Sequence, residues 1–392
     1  MKKIFLLSLL CLMFAGCSSA EKQSLKEDVT KTTAVETTVA ETVTETTTES
    51  VVTKDEISAQ IEGMSLYEKV GQMFIIDLAD MDENFVVHAQ DGDLDIKENN
   101  VGGFILLAKD INGVEGTKQL TAKLREISRI APFIGIDEEG GVVSRVGDSG
   151  AVADYYIPSA RSMANNGTVE ENYTKIAKTL TAMGFNLDFA PDADVDTNPD
   201  NPIIGDRAFS NDAKTAGENA VIAMNALREN GVIPVIKHFP GHGDTDTDTH
   251  TGTAIVPHDR ERLDSVELVP FRLAIENNAP MIMVAHVKTP AISNNDMPAS
   301  VNHDIITGLL REELGFDGVI ITDAMNMGAV TQYGKSQSIE NAVKAGADII
   351  LMPTDIKNAF DTVIGLTESG EITEERIDES VYRILKLKEN LK

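Results

Sequence analysis

Residues able to carry acid–base or ligand chemistry are concentrated in segment 237–250. Its sequence is Lys-His-Phe-Pro-Gly-His-Gly-Asp-Thr-Asp-Thr-Asp-Thr-His. Three of its acids have the spacing of the first ligands in an EF-hand calcium loop: Asp244, Asp246 and Asp248. That loop requires Gly at its sixth position and Glu at its twelfth, where this chain has Thr249 and Ile255. The segment is therefore not an EF-hand.

The histidines of this segment allow two further interpretations. His238 and His242 are four residues apart, but Pro240 and the flanking glycines prevent the helix that would bring them to one face. This argues against a zinc site. Asp248 and His250 form an Asp-x-His pair, in which the carboxylate could orient and polarise the imidazole as a general acid/base. The spacing alone does not distinguish such a pair from a solvated acidic loop that contains a histidine.

Carboxylates also follow two other apolar runs. Asp137 opens the sequence Asp-Glu-Glu-Gly-Gly, and Arg145 follows eight positions later. These two side chains would either grip a polyhydroxylated ligand or form a structural ion pair. Asp323 ends another apolar run, where it suits either a nucleophile or a helix N-cap. Arg207 is a weaker candidate, because a lone arginine in a loop is usually solvated.

The elements that position these residues are short apolar runs separated by helical patterns. The runs are Gln72–Leu78, Val101–Ala108, Pro132–Asp137, Phe185–Ala190, Val232–His238, Pro280–His286, Gly318–Asp323 and Ala347–Met352. Such alternation is typical of buried parallel strands, and eight units predict an α/β fold, a (β/α)8 TIM-type barrel. A doubly wound open sheet is disfavoured because the dinucleotide fingerprint is missing: after Gly241 and Gly243, Asp246 stands in place of the third glycine.

Five polar side chains end four of the predicted strands: Asp137, Lys237, His238, His286 and Asp323. In a barrel, the C-terminal ends of all strands meet at one face, where active sites lie. Charged groups at buried strand ends also need partners. We therefore expect these side chains to surround a shared cavity.

Charge and cysteine content exclude several functions. The chain has 392 residues and a net charge of −29. This charge argues against nucleic acid as a partner and against docking on anionic lipid, since both require a positive surface. Its two cysteines, Cys11 and Cys17, lie near the N-terminus. We therefore expect neither a disulfide framework nor a cysteine zinc site in the folded part.

The first 54 residues form two segments of their own. Residues 1–17 combine Lys2, Lys3, an apolar run and Cys17, and resemble a bacterial lipoprotein signal peptide with Cys17 as the lipidated residue. An ordinary secretory signal cleaved nearby is the alternative. Residues 18–54 are rich in Thr, Glu and Val without apolar periodicity, which predicts a disordered stalk. The protein would then be exported and lipid-anchored on the outer face of a bacterial membrane.

Taken together, these motifs resemble glycoside hydrolase family 3 over residues 60–392, specifically its single-domain bacterial β-N-acetylhexosaminidases. Segments 186–191 and 198–202 also match the family pattern. The resemblance implies that Asp323 is the nucleophile and His250 the acid/base, assisted by Asp248. It implies a first sugar subsite formed by Asp137, Arg145, Arg207, Lys237 and His238. Glu138, Val142 and Asp192 depart from the family pattern, where Gln, Arg and an apolar residue are common.

The resemblance further implies a catalytic barrel at residues 55–392 that acts without a cofactor or metal. The expected activity is exo-acting, retaining release of terminal N-acetylglucosamine from peptidoglycan fragments through a glycosyl-enzyme on Asp323. The partners would be a carbohydrate substrate and, through the lipid anchor only, a membrane; we expect a monomer that binds no nucleic acid. Alternatives are a β-N-acetylglucosaminide phosphorylase or a β-glucosidase on the same barrel, and a non-catalytic sugar-binding lipoprotein.

Overall fold

A computed structural model describes residues 55–391 except 80, 83, 90, 91, 248–251, 253, 294 and 390. The predicted signal peptide with Cys17, the predicted stalk, and the Asp248–His250 pair lie outside the described residues. Among the residues described, no helix is both long and apolar enough to cross a membrane.

Eight parallel strands form the centre of the fold. They are β1 (Phe74–Ile76), β2 (Gly103–Ile105), β3 (Phe133–Ile136), β4 (Leu187–Asp188), β5 (Ile233–Phe239), β6 (Met281–Val284), β7 (Val319–Thr322) and β8 (Ile350–Leu351). Each strand pairs with its neighbours in chain order, β8 pairs with β1, and a parallel bridge from Ile321 to Ile349 closes the ring between β7 and β8. The predicted TIM-type barrel is confirmed: seven of the predicted runs contain one strand each, and the run Val232–His238 contains all of β5 except its last residue, Phe239.

Helices surround the barrel. The α-helices are Glu56–Glu62, Leu66–Gln72, Ile96–Asn99, Gly113–Ile127, Arg145–Asp148, Ala160–Asn166, Val169–Met183, Ala213–Glu229, Arg260–Ser265, Val269–Glu276, Gly328–Thr331, Lys335–Ala345, Ile356–Glu368 and Glu374–Lys388. A π-helix spans Asp304–Glu313, and 3₁₀ turns span Ala108–Asp110, Gly205–Arg207 and Ala299–Val301. Ser65 and Glu68 form the capping box expected from their spacing.

Helix 169–183 illustrates how the sequence produces this outer layer. Tyr173, Ile176, Ala177 and Leu180 are fully buried, which is the i, i+3, i+4, i+7 stripe of a helix that packs on a core. The helix ends at Gly184, whose positive φ of 86° provides a left-handed cap. Each outer helix thereby covers one side of the barrel sheet and leaves its C-terminal face free for a site.

Short two-stranded ribbons complete the structure. They pair Val86–Ala89 with Gly92–Asp95, Glu138–Gly140 with Val143–Ser144, and Ala254–Ile255 with Val287–Lys288. The second ribbon directly follows β3, and the third joins the segments that follow β5 and β6. Both therefore build on the C-terminal ends of barrel strands, where the candidate residues lie.

Candidate active site

A cavity of about 280 Å³ opens at the C-terminal ends of the strands. Charged and polar residues from β5 and from the segments after β3 and β4, here called the polar wall, line it: Asp137, Glu139, Arg145, Arg207, Lys237 and His238. Apolar residues from β2, β8 and the segments after β2, β7 and β8, here called the apolar wall, also line it: Ile105, Leu107, Met327, Leu351 and Met352. Asp323 also lines the cavity, at the end of β7 beside β8.

A buried ion-pair network forms the centre of the polar wall. Lys237 Nζ lies 2.8 Å from Asp137 Oδ1 and 2.7 Å from Glu139 Oε1. Arg207 donates two hydrogen bonds of 2.8 Å to the two oxygens of Glu139. Burial alone would raise the pKa of Glu139, but Arg207 and Lys237 outweigh it and hold this pKa far below its usual range. The network therefore stays charged and fixes two cations towards the cavity.

Arg145 is placed by the ribbon that follows β3. Its guanidinium lies 3.8 Å from Asp137 Oδ2, so these two residues both form an ion pair and line the cavity. Glu138 accepts hydrogen bonds from the residues on either side of Arg145, namely Ser144 Oγ (2.5 Å) and Val146 N (2.8 Å). The two interpretations offered by the sequence for Asp137 and Arg145, sugar binding and a structural ion pair, are thus compatible with one geometry.

His238 is held between the carboxyl group of Asp194 and the guanidinium group of Arg207. Its Nδ1 lies 2.7 Å from Asp194 Oδ2, and its Nε2 lies 3.4 Å from a terminal nitrogen of Arg207. Burial, together with the nearby Arg207 charge, lowers the pKa of His238 to about 4. At neutral pH the ring is uncharged, and because Nδ1 is bonded to Asp194, Nε2 is the nitrogen that could hydrogen-bond to a sugar hydroxyl without adding charge.

The described residues contain one group of possible metal ligands, Asp192, Asp194 and His238, whose donor atoms lie within 4.8 Å of one another. Burial and the neighbouring Asp194 raise the pKa of Asp192 to about 7. Arg207 lies 3.6 Å from Asp192 Oδ2 and also contacts His238. Because this guanidinium already supplies the positive charge beside the two carboxyl groups, the geometry fits an Arg-centred cluster better than a metal ion.

Asp323 has the environment of an ionised carboxylate. Burial would raise its pKa, but the neighbouring His286 and His238 and the Ala324 amide lower it below its usual value. The Ala324 amide donates to Oδ1 over 2.7 Å. The next helix begins at Gly328 with Met327 as its N-cap, so Asp323 caps no helix. Of the two interpretations offered by the sequence, a nucleophile remains for Asp323, which lines the cavity.

His286 was expected at this face but does not line the cavity. Its Nδ1 lies 2.6 Å from Ser300 Oγ, and its Nε2 lies 2.9 Å from the carbonyl oxygen of Ala324. It is fully buried behind the segment that follows Asp323. His286 thus supports the backbone next to Asp323 and influences its charge.

The segment that leads to Asp248 and His250 is anchored on the same face. His242 lines the cavity, and its Nδ1 lies 2.7 Å from Thr245 Oγ1. Asn201 donates to the carbonyl oxygen of His242 (2.9 Å), and Asn198 donates to that of Thr245 (3.1 Å). Beyond the undescribed residues, Ala254 pairs with β-ribbon partner Val287. The acid/base role of Asp248 and His250 stays a prediction.

Sequence reasoning missed Glu139 and the apolar wall. Glu139 is two residues after Asp137, so in an extended chain both side chains lie on the same face. That spacing, together with two glycines directly afterwards, was the available signal. Residues of the apolar wall carry no such signal, because an apolar residue at a strand end is indistinguishable in sequence from a core residue.

The chain is similar to known proteins in sequence and in fold. The profile of the glycosyl hydrolase family 3 N-terminal domain matches residues 65–387. Beta-hexosaminidase A of Pseudoalteromonas piscicida is 33% identical in an alignment over 334 residues that covers 76% of this chain and 54% of that protein. Beta-hexosaminidase LpqI of Mycobacterium tuberculosis is 30% identical, over 83% of each chain.

A solved structure is also similar, that of a glycoside hydrolase family 3 beta-N-acetylglucosaminidase from Paenibacillus sp. str. FPU-7. It has a TM-score of 0.77 and 37% sequence identity, over 83% of this chain and 62% of that one. This chain thus spans less than two thirds of two of these three proteins. The family match itself covers most of the chain and includes every residue of the cavity. The chain belongs to glycosyl hydrolase family 3.

Proposed function

We propose that this protein is an exo-acting, retaining β-N-acetylhexosaminidase that releases terminal N-acetylglucosamine. The observation that carries the proposal is that Asp323, at the end of β7, lines the same small cavity as the fixed charged groups of the polar wall. Relatives named beta-hexosaminidase and beta-N-acetylglucosaminidase support the choice of an acetamido sugar.

Asp323 would attack the anomeric carbon and form a covalent glycosyl-enzyme. Its lowered pKa keeps the carboxylate ionised at neutral pH, as a nucleophile requires. His250, polarised by Asp248, would protonate the leaving oxygen and then accept a proton from the attacking water. The second carboxyl group of an ordinary retaining glycosidase is here replaced by a histidine, which titrates near neutral pH without a large pKa shift.

The polar wall would bind the hydroxyl groups of the terminal sugar. Lys237 and Arg207 are held by Glu139 and are thereby oriented before substrate arrives, which lowers the entropic cost of binding. A cavity of about 280 Å³ lies at the lower end of ligand-pocket volumes. One sugar unit would fill it, which supports cleavage at the end of a glycan.

The cellular setting follows from the first 54 residues. With Cys17 lipidated and residues 18–54 as a stalk, the barrel would act at the outer face of a bacterial membrane. Peptidoglycan fragments that end in N-acetylglucosamine would be the substrates within reach. Mass spectrometry of the membrane fraction would test the anchor: the Cys17→Ser variant should lose both the lipid mass and membrane retention.

The activity is tested by nitrophenol release from aryl β-N-acetylglucosaminide and, in parallel, from aryl β-glucoside. We expect turnover of the acetamido sugar with a kcat/KM at least about tenfold above that of the glucoside. Added inorganic phosphate should neither accelerate the reaction nor yield a sugar phosphate. Preference for the glucoside, or formation of sugar phosphate, would replace this proposal with a β-glucosidase or a phosphorylase, and no turnover would favour a binding protein.

A further inference from the structure

Met352 has an unusual backbone conformation for its position. It directly follows β8 and has a φ of 45°, in the left-handed region that non-glycine residues rarely adopt. It also precedes Pro353, and a residue before proline is restricted to extended conformations. Met352, which lines the cavity, thus departs from two independent backbone preferences.

The surrounding hydrogen bonds hold Met352 in this conformation. Its amide donates to the carbonyl oxygen of Ile75 (2.8 Å), which continues the β8–β1 ladder. The Met325 amide donates to the carbonyl oxygen of Leu351 (2.8 Å), and the Leu351 amide donates to Thr322 Oγ1 (3.1 Å). Strained backbone persists only where neighbours over-determine it, and it is concentrated at functional sites.

The left-handed conformation of Met352 coincides with a break in the alternation of the strand. In an extended strand, successive side chains point to opposite faces of the sheet. Leu351 and Met352 are consecutive, and yet both line the cavity. The left-handed residue stands directly after the strand ends, so the alternation of the strand does not extend to Met352, and the two consecutive residues contribute to the same cavity.

We propose that Met352 is a specificity-determining residue, whose side chain packs against the C–H surface of the bound terminal sugar. A pyranose offers hydroxyl groups at its edge and C–H groups on its faces, which matches a cavity with one polar and one apolar wall. Sugar rings are often bound on a Trp face, but this chain contains no Trp. The unbranched thioether of Met352, in a cavity that Leu107 and Met327 also line, would provide an adaptable apolar surface instead.

The inference rests on the proposed glycosidase function and assigns the apolar half of the same site. Asp323 lines the same cavity and directly follows β7, the strand next to β8. A sugar that packs on Met352 would therefore also lie close to the nucleophile, and its hydroxyl groups would form hydrogen bonds with Lys237 and Arg207. Loss of this packing should weaken binding more than it slows the chemical step.

Three substitutions distinguish the contribution of the Met352 side chain from that of its backbone conformation. Met352→Ala and Met352→Gly both remove the apolar side chain, and we expect both to raise KM about tenfold with a smaller change in kcat. Met352→Leu should recover most of this loss, because it restores an apolar side chain. Glycine tolerates the left-handed backbone, so the Gly variant should melt about 2 °C or more above the Ala variant.

Asn278 provides a matched control, since it has a φ of 60° but does not line the cavity. Asn278→Gly should keep the wild-type KM. The inference is overturned if the wild type is active but Met352→Ala and Met352→Gly keep the wild-type KM. It is also overturned if Met352→Gly is no more stable than Met352→Ala. If the wild type is inactive on both aryl glycosides, the proposed function is overturned instead. The role of Met352 is then decided by calorimetric measurement of N-acetylglucosamine binding to the same variants. Equal affinity of the wild type and all variants would refute that role.

Discussion

Glu139 holds Arg207 through two parallel hydrogen bonds of 2.8 Å, in a pair that solvent hardly reaches. The exposed fractions of the two side chains are 1% and 11%. A second cation, Lys237, lies 2.7 Å from the same carboxylate. One buried acid thus fixes both cations that the proposed function assigns to the sugar, and it does so from within the sequence Glu-Glu-Gly-Gly that follows β3.

Replacing Glu139 should therefore damage stability and binding together. Glu139→Gln removes the negative charge between two buried cations, and breaking a buried pair typically costs about 3–5 kcal/mol. We expect this loss in the free energy of unfolding measured with urea, and an increased KM. Glu340→Gln is the matched control: Glu340 pairs with Lys344 on the surface, where a pair contributes less than about 1 kcal/mol. Equal losses in both variants would contradict the role of the buried network.

Asp323→Asn should abolish turnover and leave the fold intact. The amide oxygen of Asn can still accept the Ala324 hydrogen bond, but the side chain can no longer attack the anomeric carbon. We expect kcat to fall by about 10³-fold or more, with a melting temperature close to wild type. Asp361→Asn, at a surface pair with Lys357, serves as the control with full activity. Near-wild-type turnover by Asp323→Asn would refute Asp323 as the nucleophile.

Glu138 should make stability depend on pH. Burial raises its pKa from 4.5 to about 7, against hydrogen bonds from Ser144 and the Val146 amide that lower it. A raised carboxyl pKa gives a stability contribution that is full below pH 4.5 and lost as the pH rises through 7.

Glu138→Gln stays neutral throughout this range and keeps an acceptor for Val146 N. Its free energy of unfolding relative to wild type should rise with pH between 4.5 and 8, by up to about 3 kcal/mol. Asp192 has a pKa raised to about 7 as well and is present in both proteins, so their difference isolates Glu138. Parallel stability curves for the two proteins would show that Glu138 does not titrate in this range.

Gly243 marks a close approach between the segments after β4 and β5. A Cβ at this position would lie 2.0 Å from the carbonyl oxygen of Val195, so backbone must move to admit it. We expect Gly243→Ala to lower the free energy of unfolding by about 3 kcal/mol or more. Gly365→Ala is the opposite case: it lies within helix 356–368 with no atom near the added Cβ, and it should stabilise by about 0.5–1 kcal/mol. Thermal and urea unfolding of both variants would test the contrast.

The periodic part of the fold could be predicted from the sequence. Eight apolar runs and the helical stripes between them record burial directly, because a parallel strand is covered on both faces and a surface helix on one. The boundaries were less well predicted: the run from Phe185 to Ala190 contains only the strand Leu187–Asp188. Strand length is limited by where the neighbouring strand begins and ends, and this information lies elsewhere in the chain.

The sequence by itself determined the barrel and the acids and bases at its strand ends, because residue type and spacing report local chemistry and periodicity. Only the tertiary structure decided which of these groups meet. It brought Glu139 between Arg207 and Lys237, placed His286 behind Asp323 rather than in the cavity, and made Met352 part of the cavity lining. Each of these outcomes depends on contacts between strands that are far apart along the chain, which no local pattern encodes.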